Sequence, residues 1–565
     1  MINKKKLLCK MLNNHLKKKL YERKQDYFYE DLLCFKMIKY KQRNISLLNK
    51  IFSRINKNKT HIHNNYSPSL VKCMSKDLSI KPFWDDNIKK LSDQLFMPTF
   101  DNLVTIENPF NTFNYKNWFD VTKQIPLNPI ENDLFNYSNE DYEEKDITKC
   151  KKVKLNFNKE QRKYFNQIIG TYRYYYNRCV SYINNYNPLT RTTFFYIYPD
   201  KKTDIEKQKI TIVINKKDSI YSNFTARKHL NKNNPEWLLK RFPVHLIDQA
   251  IFECCNRIKS CFSNLINNGR PFVLKYKTKK DLVQTINLEK IMIKKINAKK
   301  INLFSNFEIN NKYLYRNIKL YESYPSNFGD SSISYHKLLK HYFINFNYKE
   351  KTTNSGSNKL CSIDQGIRTP FNIFSKDESI TIGDNCFKVL LKKCKEIDII
   401  TSRMNSKSYY VKKDNITYYY KMNSKRKKNL RKALHRKINK VKNLKTELHN
   451  KTIKLLTDTY KCIILPPFNI QEMATGLTSK VSRSMYNMSF YQFKEKLKKK
   501  ALSKNITVAE YSEPYTSKTC GRCGTINEEL GNSKVFNCNN CKLIIDRDNN
   551  GARNIMLRNY QFIKK

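Results

Sequence analysis

The chain has 565 residues, with 108 Lys or Arg against 49 Asp or Glu, a formal net charge of +59. Such a length exceeds one compact core and predicts two to four domains, while 40% hydrophobic and 13% aromatic residues supply those cores and exclude wholesale disorder. Only 11 glycines occur, and neither G-x-x-x-x-G-K-[ST] nor G-x-G-x-x-G is present, which excludes Walker-type NTPases and ordinary dinucleotide enzymes.

A field of this size repels itself unless a polyanion shares the surface. A/T-rich codons raise Lys, Asn, Ile and Tyr without any binding role, but they raise the acidic residues too, and here the acids lag. Nucleic acid is the predicted partner class, ahead of a membrane surface or an acidic protein. No run of eighteen apolar residues predicts a transmembrane helix, and the start, Met1 to Lys10, is too short and interrupted for a signal sequence. Sixteen mostly scattered cysteines fit reduced thiols, so an intracellular, non-secreted protein is predicted.

In chain order, residues 1–60 are basic and helix-compatible, and the acidic run from Glu131 to Asp146 reads as a solvated linker, with a domain boundary near 150. A strand is predicted over Val153–Phe157, then a helix from about Asn158 that buries Phe165, Ile168, Ile169, Tyr172, Tyr176 and Val180 and presents Arg162, Lys163, Arg173 and Arg178. A second helix runs from about Pro243 to Leu265. Phe272–Lys280 alternates apolar and basic residues, a strand with Lys275 and Lys277 turned toward nucleic acid. Tyr342–Tyr348 predicts a closing strand, and Thr353–Asn358 a flexible linker. One long helix is predicted between Ser424 and Leu456. Its narrow seam is Leu430, Leu434, Ile438, Val441, Leu444 and Leu448, and its outer face, including Lys427, Lys428, Arg431, Lys432 and Lys437, has no acid before Glu447. Without i,i+4 partners, those cations point to phosphate contact.

Two motifs carry chemistry. Cys520-x-x-Cys523, fourteen residues, then Cys538-x-x-Cys541 match a zinc ribbon: each tight turn aims two thiolates at one tetrahedral ion, and four thiolates leave no open position, so the zinc is structural. Leu360–Asp364 reads as a buried strand ending in Asp364-Gln365-Gly366, a carboxylate at a strand end that can hold a hard cation, and Asp546-Arg547-Asp548 opens a helix behind the ribbon.

With these residues the chain resembles the TnpB (OrfB) proteins of insertion sequences and, more closely, their eukaryotic and viral relatives, the Fanzor proteins. The resemblance covers roughly 150 to 560 and rests on Ile363–Thr369, Leu465–Phe468, Glu513–Cys520, the ribbon and Asp546–Asp548. It implies a multidomain α/β and α+β protein: a β-barrel-like (WED) and helical (REC) nucleic-acid-binding half over 151–353, and an RNase H-like (RuvC) nuclease over 360–515 and 546–565. The ribbon is inserted at 516–545. It implies an RNA-guided DNA endonuclease of a transposable element, with transposon-encoded guide RNA and double-stranded target DNA as partners, acting as a monomer in a nucleus or viral replication site. Two Mg²⁺ ions would sit among Asp364, Asp548 and a second carboxylate, with Asp546 the alternative to Asp548. Where TnpB proteins typically carry that second carboxylate, as Glu, this chain has Pro466. Fanzor proteins place it before the Tyr-Thr-Ser-x-Thr-Cys run, which here is Glu513, expected to end a strand over Ile506–Ser512; Glu472, in a loop beyond Phe468, is the alternative, and Glu510 and Glu513 can also merely pair with lysines. A catalytically inactive DNA- or RNA-binding protein and a protein-only transposase are the competing functions.

Overall fold

The computed structural model describes residues 82–100, 103–107, 119–127, 135–137, 143–186, 221–231, 235, 242–268, 274–305, 307–308, 312–354, 357–406, 408–413, 416–467, 479–511, 513–531 and 533–563, all within a unit spanning Val71–Lys565. The basic residues 1–60, most of the acidic run, residues 271–273 and Glu472 lie outside them.

Before the predicted boundary stand helix α1 (Asp86–Asp93) and strands β1 (Leu103–Glu107) and β2 (Val121–Pro126). Asp85 caps α1 by accepting from Ile88 N at 2.8 Å. Strand β3 (Asp146–Asn156) begins inside the acidic run, so a boundary at 150 falls within a strand. Val153 and Leu155 are buried while Lys152 and Lys154 alternate outward. Helix α2 (Lys159–Tyr186) starts on a reciprocal capping box, in which Asn158 Oδ1 accepts from Gln161 N and Gln161 Oε1 from Asn158 N. Next come α3 (Asn223–Asn231), α4 (Val244–Asn268), β4 (Val283–Leu288), β5 (Ile293–Asn297), β6 (Lys300–Leu303), β7 (Ile318–Leu320), β8 (Ser331–His336) and β9 (His341–Lys351). These strands form an antiparallel sheet in the order β4-β8-β9-β3-β7-β6-β5, and no pairing of β4 with β5 closes it among the described residues. Phe165, Tyr176 and Val180 of α2 and Ala250, Ile251 and Ile258 of α4 share one core with it. The strand expected over 272–280 is not formed: 274–280 are irregular and end in a turn.

The second half holds β10 (Leu360–Asp364), β11 (Phe371–Ser375), β12 (Ser379–Ile382), α5 (Cys386–Asn405), β13 (Ser408–Lys413), β14 (Ile416–Lys421), α6 (Ser424–Thr459), β15 (Cys462–Leu465), α7 (Ser479–Met488), α8 (Phe490–Leu502), β16 (Thr507–Glu510), β17 (Val535–Asn537), β18 (Ile544–Asp546) and α9 (Arg547–Ile563). Its main sheet has the order β1-β2-β12-β11-β10-β15-β16: β10, β15 and β16 are parallel, and the rest antiparallel. Strand period decides the layers. Cys361 and Ile363 share a core with Leu444 and Leu448 of α6 and Phe493 of α8, whereas Leu360 joins Ile555 and Met556 of α9. Asp364 has the parity of Leu360 and therefore belongs to the α9 side.

Residues expected to be a solvated linker are in part pinned here. Phe135 is 1% exposed with its ring 4.3 Å from Tyr560, and Tyr137 N donates to Asn358 O. On α6 the apolar seam is buried only from Val441 onward; Ile438 is 41% exposed, so the first turns extend clear of the core.

Candidate active site and metal centre

Three carboxylates from distant segments converge. Asp364 ends β10, where Gly366 permits the exit turn, since a Cβ there would sit 2.6 Å from Thr369 O. Asp548 is buried in the first turn of α9. Glu513 lies three residues beyond the end of β16, not on a strand end as the sequence suggests; Thr516 N and Oγ1 donate back to its carbonyl at 3.2 and 2.8 Å, which fixes its backbone. Burial, then the negative charges of Asp548 and Glu513, hold the Asp364 carboxyl well above its ordinary value, against the opposing pull of Arg547. Burial pushes Glu513 up to about 7. Asp364 therefore lies within the field of both other carboxylates.

Neighbouring residues explain the convergence. Arg547 donates through Nε and Nη2 to Asp548 Oδ1 at 3.1 and 2.9 Å. Asp546 accepts from the backbone N–H groups of Asp548 and Asn549 at 2.9 and 3.1 Å, so it caps α9. Gly551, one turn on, lets α9 approach β10: a Cβ there would lie 2.9 Å from Asp364 Oδ2 and 3.3 Å from Ser517 Oγ. Gln365, 8% exposed, has an Nε2 with no hydrogen-bond partner among the described residues. Sequence reasoning gave no role to Gly551, Ser517 or Gln365; the helical spacing of Gly551 one turn after Asp548 is the signal that could have found the first. Glu510 faces away in role: it ion-pairs with Lys494 at 3.0 Å and with Lys498, whose charges outweigh burial and lower its pKa. Pro466 follows β15, and extending the parallel register of Ser362 with Ile464 sets it level with Asp364.

The four ribbon cysteines lie together, with all Sγ atoms within 4.8 Å and pairs at 3.6 Å (Cys520 and Cys541) and 3.5 Å (Cys523 and Cys538). A tetrahedron with Zn–S near 2.3 Å has edges of about 3.8 Å, so these thiols fit one zinc ion. The knuckle is tied to the site by Arg553 of α9, which is fully buried. It donates to Gly521 O at 2.8 Å, Phe96 O at 3.0 Å, Ser92 O at 2.7 Å and Leu95 O at 3.1 Å, and burial pulls its pKa down to about 9. Trp84 lies against Gly524 (φ +77°), where any Cβ would come within 2.1 Å of the indole.

Among the predicted nucleic-acid contacts, Lys427, Lys428 and Arg431 are exposed on α6 and Lys432 is half-buried. Lys437 pairs instead with Glu396 of α5. Lys275 is exposed, and Arg173 donates to Gln284 Oε1 at 3.3 Å. Lys277 is turned inward, bonded to Glu253 at 2.6 Å over the rings of Tyr172 and Tyr176. Where α6 nears β3, β8 and β9, cations crowd one another. Burial first, then Lys154, His336, Arg436 and Arg162, depresses His341, while burial and Lys442 depress Lys152.

A family model described as the Cas12f1-like TNB domain matches residues 490–555, which include Glu513, the ribbon and Asp548, and an OrfB helix-turn-helix domain model matches 147–187, which here is β3 and α2. The models describe OrfB and Cas12f1-like domains, and the relatives that match over most of the chain are named TnpB-like proteins and transposases. More particularly, the chain is 29% identical over 458 residues, 78% of this chain and 92% of the relative, to putative transposase A625R of Paramecium bursaria Chlorella virus 1. It is 25% identical over 500 residues, 86% of this chain and 88% of the relative, to TnpB-like protein L79 of Acanthamoeba polyphaga mimivirus. Over 90 residues, 16% of this chain and 21% of the relative, it is 32% identical to the CRISPR-associated endodeoxyribonuclease Cas12f1 of Sulfoacidibacillus thermotolerans. By these matches the chain is similar to TnpB-like proteins and viral transposases. No helix among the described residues is long and apolar enough to cross a membrane.

Proposed function

We propose that the chain is an RNA-guided DNA endonuclease that hydrolyses phosphodiesters at Asp364, Glu513 and Asp548. The observation that carries this reading is the convergence of those carboxylates, with Asp364 perturbed by both of the others. The RNase H-like assignment draws support from the sheet, whose last five strands run β12-β11-β10-β15-β16 with β11 antiparallel to both neighbours.

Such a cluster fits Mg²⁺, because a buried carboxyl that neighbouring carboxylates push above its ordinary pKa, as Asp548 and Glu513 do to Asp364, is relieved by a hard cation. Asp364, Glu513 and Asp548 would hold the metal, which when bound supplies an activated water and stabilises charge on the leaving oxygen. The chain's own residues do the positioning. Arg547 orients Asp548, Asp546 anchors the helix start, and Gly551 sets the distance to Asp364. Without the cation, Glu513 at about 7 is partly protonated near neutrality and Asp364 is shifted in the same direction, so metal binding favours proton release. The cation-crowded faces of β3, β9 and α6 would grip the guide–target duplex backbone. Pro466 level with Asp364 favours a second reading, a binding protein without cleavage.

The test is to purify the full chain with RNA transcribed from its own locus, sequence that RNA, and assay matched DNA in Mg²⁺. Asp364→Ala, Asp548→Ala and Glu513→Gln should each lose cutting by about a hundredfold or more while retaining target binding, and Glu510→Gln should still cut. Cutting retained in Asp364→Ala or Asp548→Ala refutes the nuclease site. An unmutated complex that binds matched DNA but never cuts establishes the second reading.

A further inference from the structure

The hairpin β13–β14 between α5 and α6 plays no part in the site described above. Residues 408–432, which carry it and the first turns of α6, contain nine Lys or Arg, five Tyr and one acid, Asp414. Tyr409 and Tyr420 are directly opposite across the hairpin, with rings stacked at 5.4 Å and 22°. The Arg426 guanidinium lies 3.5 Å from the centroid of Tyr409, and its Nε has no hydrogen-bond partner among the described residues. The result is a column of cation, ring and ring that leaves Tyr420 47% exposed. Tyr410, one residue along and hence on the other face, is 65% exposed. Lys421, Lys425, Lys427 and Lys428 are exposed beside them.

We propose that this hairpin is a base-stacking site for single-stranded nucleic acid: an unpaired base continues the Arg426–Tyr409–Tyr420 column on Tyr420, and the lysines at the start of α6 meet its phosphates. Exposed rings argue for a single strand, since bases in a duplex are already stacked and present only their edges. The cations argue for a polyanion, and the near absence of acids argues against a basic protein partner. This inference rests on the nucleic-acid reading given above but not on cleavage.

The test measures binding of the full chain to a labelled twelve-nucleotide oligothymidylate, the same length of oligouridylate, and a twelve-base-pair duplex, at several salt concentrations. Tyr420→Ala should weaken single-strand binding roughly tenfold and leave duplex binding within about twofold, whereas Tyr420→Phe, which keeps the ring, should bind like the parent. The DNA and RNA arms decide which strand the site takes. Equal weakening of single strand and duplex, or no weakening by Tyr420→Ala, overturns the stacking site. Absence of salt-dependent binding to all three probes overturns the nucleic-acid reading itself. A Tyr420→Phe variant as weak as Tyr420→Ala shows that the hydroxyl, not the ring face, matters, and also overturns the proposal.

Discussion

Gly551 is the residue at which helix chemistry and site geometry oppose each other most directly. Inside an exposed helix, Gly→Ala ordinarily stabilises by about 1 kcal/mol, because Ala loses less backbone entropy. At Gly551 the added methyl would lie 2.9 Å from Asp364 Oδ2, about half an ångström inside an ordinary contact, and 3.3 Å from Ser517 Oγ. Asp364 cannot retreat freely, since it ends a strand paired on both sides of the sheet. Overpacking of this kind costs roughly 1–3 kcal/mol, so the propensity gain is cancelled and Gly551→Ala should be destabilising by about 0–2 kcal/mol. Gly170 in α2 is the internal control: a Cβ there meets nothing nearer than Arg173 Nη2 at 3.9 Å, and Gly170→Ala should stabilise. Denaturant unfolding of both variants measures the difference. Cleavage should also fall in Gly551→Ala, because relieving the clash either turns the Asp364 carboxylate or separates Asp548 from Asp364. If Gly551→Ala gains as much stability as Gly170→Ala, the close approach of α9 to Asp364 is wrong.

Cys520→Ser should release zinc and destabilise the C-terminal segment, because metal binding at a four-thiolate site is coupled to folding; full zinc content by atomic absorption in the variant would overturn the ribbon assignment. His449 is 1% exposed, bonded through Nε2 to Met488 O at 2.9 Å, and burial lowers its pKa to about 4. Its folded value lies below the unfolded value of about 6.5, so the stability it confers is complete above pH 6.5 and lost as pH falls toward 4, by up to about 3 kcal/mol. Unfolding free energies at pH 7 and 4.5 should therefore converge in His449→Gln, and an unchanged pH dependence would show that this imidazole is not the group responsible.

Much of this protein is legible in single windows of sequence. The ribbon is written in two C-x-x-C pairs because each pair closes a turn on itself, and α2 is written in a helical stripe with Asn158 and Gln161 at its start. Asp364 and Asp548 were nameable because each sits at an element boundary with a local signature. What no window contains is pairing between segments hundreds of residues apart. That β2 extends the sheet of the second half beside β12, that Phe135 packs on Tyr560, and that Arg553 is buried among carbonyls of α1 and the ribbon are consequences of tertiary contact alone. The same holds for Glu513. Its sequence position suggested a strand end, but β16 stops at Glu510, whose carboxylate is drawn to Lys494 and Lys498, and the chain then turns to bring the next acid into the field of Asp364. On α6 the seam of six apolar residues predicted a buried stripe, yet only its second half, from Val441 onward, is buried. Periodicity reports which face of an element is apolar; which part of that face is covered, and which carboxylates share one desolvated site, depends on strand order and register, and those are properties of the folded chain.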